Sequence, residues 1–225
     1  MPRRTFLRFT RAQQIDQHEQ QHYLRCYSPE ALFHNWQQFP PLTSAALFEN
    51  EQPLELEIGC GSGELLLFLA RERPHTNFVG VDISRKMLDK AVEQAVRYRL
   101  PNLKFINADF RQMYPLLMPD TLKSVYLHFP DPHLRPRHQK RRLLNAEFLE
   151  QMHRALKPEG TLSVMTDVCD FFFDMLAIIE QDTRFQKCHS ERYLTGSDLP
   201  VRSHFQRVWE GYGEQVYRCL IQKKA

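Results

Sequence analysis

The chain has 225 residues, of which 42% are hydrophobic and 25% are charged, and its formal net charge is +3. These values lie near the averages of globular proteins and exclude a disordered chain, a collagen-like repeat or a disulfide scaffold. The five cysteines are widely spaced, odd in number and form no Cys-x-x-Cys pair, which favours reduced thiols and a cytoplasmic protein.

The first 50 residues differ in composition from the rest of the chain. Residues 1–14 contain four arginines but no apolar segment of the kind that a secretory signal needs, and residues 12–50 are rich in Gln and His without a sustained apolar period. No apolar run approaches the roughly 18 residues of a membrane span, so we expect no membrane partner. The sequence predicts an N-terminal extension over residues 1–50, with a basic start, partly ordered and at most partly helical, and one domain over residues 51–225.

Beyond residue 50, short apolar runs alternate with longer amphipathic ones. Strands are predicted at 54–58, 77–82, 103–107, 123–129 and 161–166, and helices at 64–73, 84–99 (with Ser84 as its cap), 141–156 and about 171–180. The run 215–221 is polar at alternate positions and predicts a late hairpin strand. This alternation predicts an α/β fold with a mostly parallel sheet, helices on both of its faces and a C-terminal antiparallel hairpin.

The glycines are concentrated in one turn. Three of the eight, Gly59, Gly61 and Gly63, lie between the first of these strands and the helix that follows it. Such a turn lets the backbone approach a nucleotide-like ligand closely. A dinucleotide fingerprint needs its third glycine at position 64, where this chain has Glu64, so the spacing argues against NAD.

Carboxylates flank this turn. Glu57 precedes it, and Asp82 ends the next predicted strand, where a carboxylate can accept the hydroxyl groups of a ribose. Because acidic side chains attract a cation and repel a diphosphate, the pattern favours S-adenosylmethionine as the ligand. The structural alternative is a glycine cluster without a ligand. Asp109 follows the third predicted strand and is placed to meet an adenine amino group, although an Asp there is also a common helix cap.

In their order along the chain, the glycine turn, Asp82 and Asp109 resemble the S-adenosylmethionine-dependent methyltransferases of Rossmann-like fold. The resemblance covers the chain from about residue 54 to the C-terminus. It implies a seven-stranded sheet and implies that the turn binds the cofactor.

The segment after the fourth predicted strand combines prolines with basic residues. Residues 133–142 contain five Lys or Arg, two His and no acidic residue. A charge run is often only a solvated helix face. Here the prolines hold the run in a fixed loop and helix start, and cations are unfavourable at a helix N-terminus unless an anion binds there. The segment therefore favours a polyanionic partner.

At these residues the chain resembles the bacterial tRNA (guanine-N7)-methyltransferases. Their signature is a Phe-Pro-Asp-Pro-Trp segment followed by Arg-His-x-Lys-Arg-Arg, and this chain has Phe129-Pro130-Asp131-Pro132 followed by Arg137-His138-Gln139-Lys140-Arg141-Arg142. The resemblance implies transfer of a methyl group from S-adenosylmethionine to N7 of a guanine in the variable loop of tRNA, with S-adenosylhomocysteine as product and no metal. It implies tRNA and no DNA as partner, and a protein that is a monomer or homodimer.

The resemblance also implies roles for single residues. The cofactor-binding residues would be Glu57, Gly59, Gly61, Gly63, Asp82, Asp109 and Asp131. The substrate-binding residues would be Arg135, Lys140, Arg141, Asp167, Ser203 and Gln206. We expect Asp131 to be catalytic through electrostatics and orientation, because guanine N7 carries a lone pair and needs no general base. Two positions depart from the family pattern: His133 replaces Trp, and Ser203-His204-Phe205-Gln206 replaces Thr-x-x-Glu, which loses one charge.

One motif in the N-terminal extension resembles a metal site. His18-Glu19-Gln20-Gln21-His22 matches the zinc-protease pattern His-Glu-x-x-His, but its polar flanks lack the apolar face that buries a catalytic helix, so we expect no metal. The residues alone also allow two other functions. The protein could be a methyltransferase of another substrate, or a catalytically silent RNA-binding subunit on the same fold.

Overall fold

The computed structural model describes residues 16–133, 135–196 and 215–224. Its α-helices are α1 Gln17–Tyr23, α2 Pro29–Asn35, α3 Ser44–Phe48, α4 Glu64–Glu72, α5 Arg85–Tyr98, α6 Ala146–Ala155 and α7 Cys169–Gln181. Its strands are β1 Leu24–Cys26, β2 Leu54–Ile58, β3 Asn77–Asp82, β4 Leu103–Asn107, β5 Leu122–His128, β6 Leu156–Thr166, β7 Phe185–Lys187, β8 Leu194–Thr195 and β9 Tyr217–Lys223. Short 3₁₀ helices span Trp36–Gln38, Phe110–Gln112, Tyr114–Leu116 and Pro136–Arg141.

The strands form one sheet in the order β1-β4-β3-β2-β5-β6-β9-β7, with β8 paired to β9. Neighbours from β1 to β6 are parallel, and β9 runs antiparallel to β6, β7 and β8. The predicted α/β class with a mostly parallel sheet and a C-terminal antiparallel pairing is confirmed. Seven strands, β4-β3-β2-β5-β6-β9-β7, make up the predicted seven-stranded sheet, and the short β1 and β8 are additions to it.

Two hydrophobic clusters cover the two faces of the sheet. On one face α4 and α5 bury Leu66 and Leu88 against Phe78 and Phe105 of the strands. On the other face α6 and α7 contribute large buried side chains, namely Phe148, Leu149, Met152, Phe171, Phe172 and Met175. With both faces covered, the edge formed by the carboxyl ends of the parallel strands is where a ligand can enter.

The sequence of β2, Leu-Glu-Leu-Glu-Ile, has the alternation of a half-exposed strand, yet all five of its residues are buried. Helices on both faces leave no solvent side for the two glutamates. Glu55 is fully buried and satisfied: Arg73 donates to both of its oxygens at 2.8 Å, and the Tyr126 hydroxyl donates to Oε2 at 2.7 Å. Glu57 lies at the ligand edge and belongs to the site described below.

The predicted strands and helices agree with observed elements within a few residues, with two exceptions. Strand β6 begins at Leu156 instead of residue 161, and the second exception is the start of a helix. Helix α6 begins at Ala146, not at residue 141, because the Asn145 side chain caps it by accepting from the Phe148 N–H at 2.9 Å. The basic residues before it form the 3₁₀ helix Pro136–Arg141. The run is therefore separated from the N-terminus of α6, and the expected helix start at these cations is wrong.

Two smaller features also differ from prediction. Ser84 occupies the N-cap position of α5, but its side chain makes no capping bond; the Asp82 carboxylate accepts from the Ser84 N–H instead, at 2.7 Å. Strand β1 pairs in parallel with β4 over Leu24–Cys26, so part of the predicted N-terminal extension joins the sheet. Among the described residues, no helix has the length and apolarity to cross a membrane.

The pair between the buried Glu55 and the partly exposed Arg73 gives a test of the fold. Arg73→Ala leaves the fully buried Glu55 carboxylate without its main partner. Removing one member of a fully buried pair costs about 3–5 kcal/mol of unfolding free energy, and we expect a loss near the lower end of this range because Arg73 is 34% exposed and Tyr126 still donates to Glu55. Urea denaturation measures this loss. The control is Asp89→Ala, which removes the exposed Arg85–Asp89 pair and is expected to cost at most about 1 kcal/mol. Equal losses for the two variants would contradict the assignment.

Candidate active site

The glycine turn joins β2 to α4 in a conformation that favours glycine at three positions. Gly59, Gly61 and Gly63 have φ values of 76°, 53° and 70°. A Cβ on Gly63 would lie 3.0 Å from the Phe105 ring, so this glycine also serves the packing of the core. A Cβ on Gly59 would meet no atom within 4 Å, because Gly59 borders an open cavity. The turn therefore offers bare backbone to a ligand at Gly59.

Asp82 holds the turn closed. One carboxylate oxygen accepts from the Gly61 N–H at 2.8 Å, and the other accepts from the Ser84 N–H at 2.7 Å. Each oxygen can still accept a further hydrogen bond. Asp82 also lines the cavity, and its contact with a ribose stays a prediction.

Glu57 is a buried carboxyl group with an unused oxygen. It is 7% exposed, and its Oε2 has no hydrogen-bond partner among the described residues. Burial, reinforced by the negative charges of Asp82 and Glu64, raises the pKa of Glu57 to about 8. Without a ligand this group is mostly protonated at neutral pH. A cation or a strong donor beside it would favour the ionised form.

The cavity lies at the carboxyl ends of four strands and has a volume of about 310 Å³. Its wall includes Ile58, Gly59, Val81, Asp82, Ala108, Asp109, Leu127, Asp131, His133 and Arg141. β3 and β5 flank the central β2 on opposite sides, so the cavity opens where the strand order reverses. Open parallel sheets bind ligands at such a switch point. The fold thus brings predicted cofactor and substrate residues to one space.

Asp109 both caps a short helix and lines the cavity, and its contact with an adenine amino group stays a prediction. It caps the 3₁₀ helix Phe110–Gln112 by accepting from the Arg111 N–H at 3.1 Å, and it lines the cavity. The Arg111 guanidinium also donates to Asp109, through Nε at 3.0 Å, and holds the pKa of Asp109 below its usual value. Sequence reasoning missed Arg111, which also lines the cavity. Its position two residues after Asp109 was the available signal.

Asp131 lies in a constrained loop after β5. Its side chain is 70% exposed, and its Oδ1 accepts from the His133 N–H at 2.9 Å. The His133 imidazole lies close to the same oxygen, with Nδ1 at 3.4 Å. Phe129 and His133 bracket the Pro-Asp-Pro segment with left-handed φ values of 50° and 43°, which are uncommon for residues other than glycine. Such strained positions cluster at functional sites.

In the basic segment at residues 135–142, several cations face solvent and one, Arg142, anchors the segment to the rest of the protein. Arg135, Lys140 and Arg141 are exposed, and no ion pair is found for them in the described part of the chain; Arg141 also lines the cavity. Arg142 instead donates to the Pro132 carbonyl at 2.9 Å and to Asp174 at 2.7 Å. Its guanidinium also lies over the Phe171 ring, 4.7 Å from the centroid. Arg142 thus ties the loop to α7 and leaves the other cations available.

Of the remaining predicted residues, the structure describes Asp167, which is not part of the cavity wall. Asp167 follows the end of β6 and lies 3.5 Å from the Thr166 hydroxyl, which donates to it. Ser203 and Gln206 lie outside the described residues. The His-Glu-x-x-His motif lies entirely within α1. Among the described residues, no group of three or more His, Cys, Asp or Glu is placed to hold a metal ion.

Residues 51–219 match a family model described as "Putative methyltransferase". The chain is also similar to solved methyltransferases. It superposes on the 16S rRNA methyltransferase KamB with a TM-score of 0.62 at 17% identity, covering 81% of this chain and 95% of KamB. It superposes on a 30S ribosomal A1408 methyltransferase from an uncultured bacterium with a TM-score of 0.58 at 15% identity. This match covers 79% of this chain and 90% of that enzyme. At these identities the likeness shows the fold alone.

Proteins with similar sequences identify the family within the methyltransferases. The chain is 52% identical to the tRNA (guanine-N(7)-)-methyltransferase of Rubrobacter xylanophilus over 88% of this chain and 89% of that protein. It is 34% identical to the enzyme of the same name from Chloroherpeton thalassium, over 90% of this chain and 89% of that enzyme. With these identities over nearly the whole of each sequence, the chain belongs to the tRNA (guanine-N7)-methyltransferase family.

Proposed function

We propose that the protein transfers the methyl group of S-adenosylmethionine to N7 of a guanine in the variable loop of tRNA and releases S-adenosylhomocysteine. The observation that carries this proposal is a single cavity that combines Asp82 and Asp109 on one part of its wall with Asp131 and Arg141 on another. Family membership supports the reaction, since the relatives are named for it. Nothing in the proposal requires a metal.

The residues around the glycine turn fit this cofactor. The unpartnered Glu57 oxygen suits an ammonium group, and the open backbone at Gly59 allows close approach. Asp82 retains acceptor capacity for the ribose hydroxyls, and Asp109, held by Arg111, suits the adenine amino group. When bound, S-adenosylmethionine supplies a methyl group on a positively charged sulfur.

Asp131 is positioned to stabilise the positive charge that develops on the guanine during methyl transfer. Guanine N7 has a lone pair and no proton, so a residue near it has no proton to remove. The purine becomes cationic as the methyl group is transferred, and a fixed carboxylate lowers the energy of that charge. The exposed Asp131 side chain on the cavity wall can reach such a base. The protein's own residues would then promote methyl transfer by positioning the base and by stabilising its developing charge.

The exposed basic residues beside the cavity suit the tRNA backbone. Arg135, Lys140 and Arg141 lie in the loop that leads from Asp131 to α6, and phosphate binding releases counterions from the nucleic acid. We further propose substrate contacts for Asp167, Ser203 and Gln206. The protein would act as a monomer or homodimer in the cytoplasm, which its five free cysteines support. The family match from residue 51 supports a methyltransferase domain at 51–225 after an extension at 1–50.

Incubation of unmodified bulk tRNA with labelled S-adenosylmethionine, followed by nucleoside analysis, tests the proposal. We expect label in 7-methylguanosine. Binding of tRNA without transfer would instead identify a catalytically silent RNA-binding subunit. Label in another nucleoside, or transfer only to protein or small molecules, would identify a methyltransferase of another substrate.

Asp131→Ala tests the catalytic assignment. We expect at least about a hundredfold loss of transfer, because an electrostatic group that acts on developing charge contributes on that order. Affinity for tRNA, measured by filter binding, should stay within a few-fold. Asp120→Ala, at an exposed Asp just before β5, serves as the control and should retain activity. Wild-type transfer rates in Asp131→Ala would refute the assignment.

Replacing Arg135, Lys140 and Arg141 together by Ala tests the basic loop. The slope of log affinity for tRNA against log salt should become shallower, by at most about 0.9 for each phosphate that the loop no longer neutralises. The matched control replaces Lys90, Arg97 and Lys157, which are exposed cations on α5 and at the start of β6. Equal slopes for the two triple variants would show that the loop is only a solvated face.

Glu57→Gln tests the ammonium site. The variant keeps the size of the side chain but not its charge, and a hydrogen bond to a charged group contributes about 1.5–3 kcal/mol. Affinity for S-adenosylhomocysteine should therefore fall by roughly ten- to a hundredfold in isothermal titration calorimetry. Glu72→Gln, at the exposed last residue of α4, is the control. An unchanged affinity for Glu57→Gln would remove Glu57 from the cofactor site.

A further inference from the structure

The imidazole of His133 has no assigned role, although it lies on the cavity wall beside the catalytic candidate. Asp131 is 70% exposed, so packing does not fix the direction of its carboxylate. Two groups of His133 meet the same carboxylate oxygen, the backbone N–H at 2.9 Å from Oδ1 and the ring Nδ1 at 3.4 Å from it. Among the described residues, no donor is found for Oδ2 of Asp131. His133 thus acts on one oxygen and leaves the other for a substrate.

We propose that His133 is a positioning residue, which donates from Nδ1 to Oδ1 of Asp131 and fixes the carboxylate with Oδ2 free for the guanine. This inference rests on the proposed function, since it needs Asp131 to act on the reacting base. A separation of 3.4 Å is long for a hydrogen bond, but catalytic contacts commonly shorten when substrate binds. Orientation matters here because a misplacement of about 1 Å can cost a hundredfold in rate.

The backbone at His133 agrees with this role and constrains how it is tested. Its φ of 43° lies in the left-handed region, which Asn, Asp and His adopt more readily than other residues with a side chain. The family signature has Trp at this position, whose single donor lies on a different part of a larger ring. The contact from Nδ1 is therefore a property of this chain's own residue.

The decisive comparison is between His133→Asn and His133→Gly. Both residues tolerate the left-handed backbone, but only Asn carries a side-chain donor that can reach Asp131. We expect kcat for tRNA methylation to fall roughly ten- to a hundredfold in His133→Gly and to recover in large part in His133→Asn. The KM for tRNA and the affinity for S-adenosylhomocysteine should stay within a few-fold of wild type in both. Equal kcat values for His133→Gly and wild type would overturn the inference.

A third variant separates positioning from base stacking. His133→Phe keeps an aromatic ring without a donor, so the inference predicts a loss of kcat like that of the Gly variant. Melting temperatures establish whether each variant is folded. Retained kcat in His133→Phe together with loss in His133→Asn would show that the ring stacks on a base and would overturn the positioning role. If wild-type protein itself makes no 7-methylguanosine, the proposed function fails first, and this inference fails with it.

Discussion

A carboxyl group buried at the end of the central strand is the constraint around which this site is organised. β2 is covered on both faces, so its two glutamates cannot reach solvent. Glu55 is compensated by Arg73 and Tyr126, whereas Glu57 keeps an oxygen without a partner in the described part of the chain. Burial of an unpaired carboxylate is unfavourable, and the group responds by holding its proton. The folded protein therefore has a place for a positive charge before any ligand arrives.

This arrangement has a consequence for stability. The pKa of Glu57 is raised from 4.5 to about 8, so the folded protein without ligand keeps a proton that the unfolded chain releases. The contribution of Glu57 to the free energy of unfolding is therefore fully present below pH 4.5 and is lost as the pH rises through about 8. A cationic ligand beside Glu57 would offset that loss. The same group thus links the stability of the free protein to occupancy of its cofactor site.

The small net charge of +3 conceals a separation of charges around the cavity. Asp82 and Asp109 lie on the side of the cavity formed by β3 and β4, and Arg141 belongs to the basic loop that follows β5. Asp131 lies between the glycine turn and that loop along the chain. A cationic methyl donor and a polyanionic RNA have opposite electrostatic needs, and under the proposed function one sheet edge would serve both because neighbouring loops carry opposite charges.

Much of the fold could be predicted because buried strands and amphipathic helices leave periodic patterns. The bounds of β2, β3 and β4 coincide with the predicted ones. β1 was missed because three residues are too short to show a period, and the start of α6 was misplaced because basic residues carry no apolar signal. The pairing of Arg111 with Asp109 and the anchoring of Arg142 depend on side-chain direction, which spacing does not determine. The sequence therefore predicted the strands that border the cavity better than it predicted the contacts between side chains there.

We infer that Glu57 is protonated in the free protein and ionises when the cofactor site is filled. Calorimetry of S-adenosylhomocysteine binding at about pH 7, in buffers of different ionisation enthalpy, counts the protons exchanged. We expect wild-type protein to release about one proton more per site than Glu57→Gln does, because a group with a pKa of about 8 is mostly protonated at that pH. Equal proton exchange for the two proteins would contradict it.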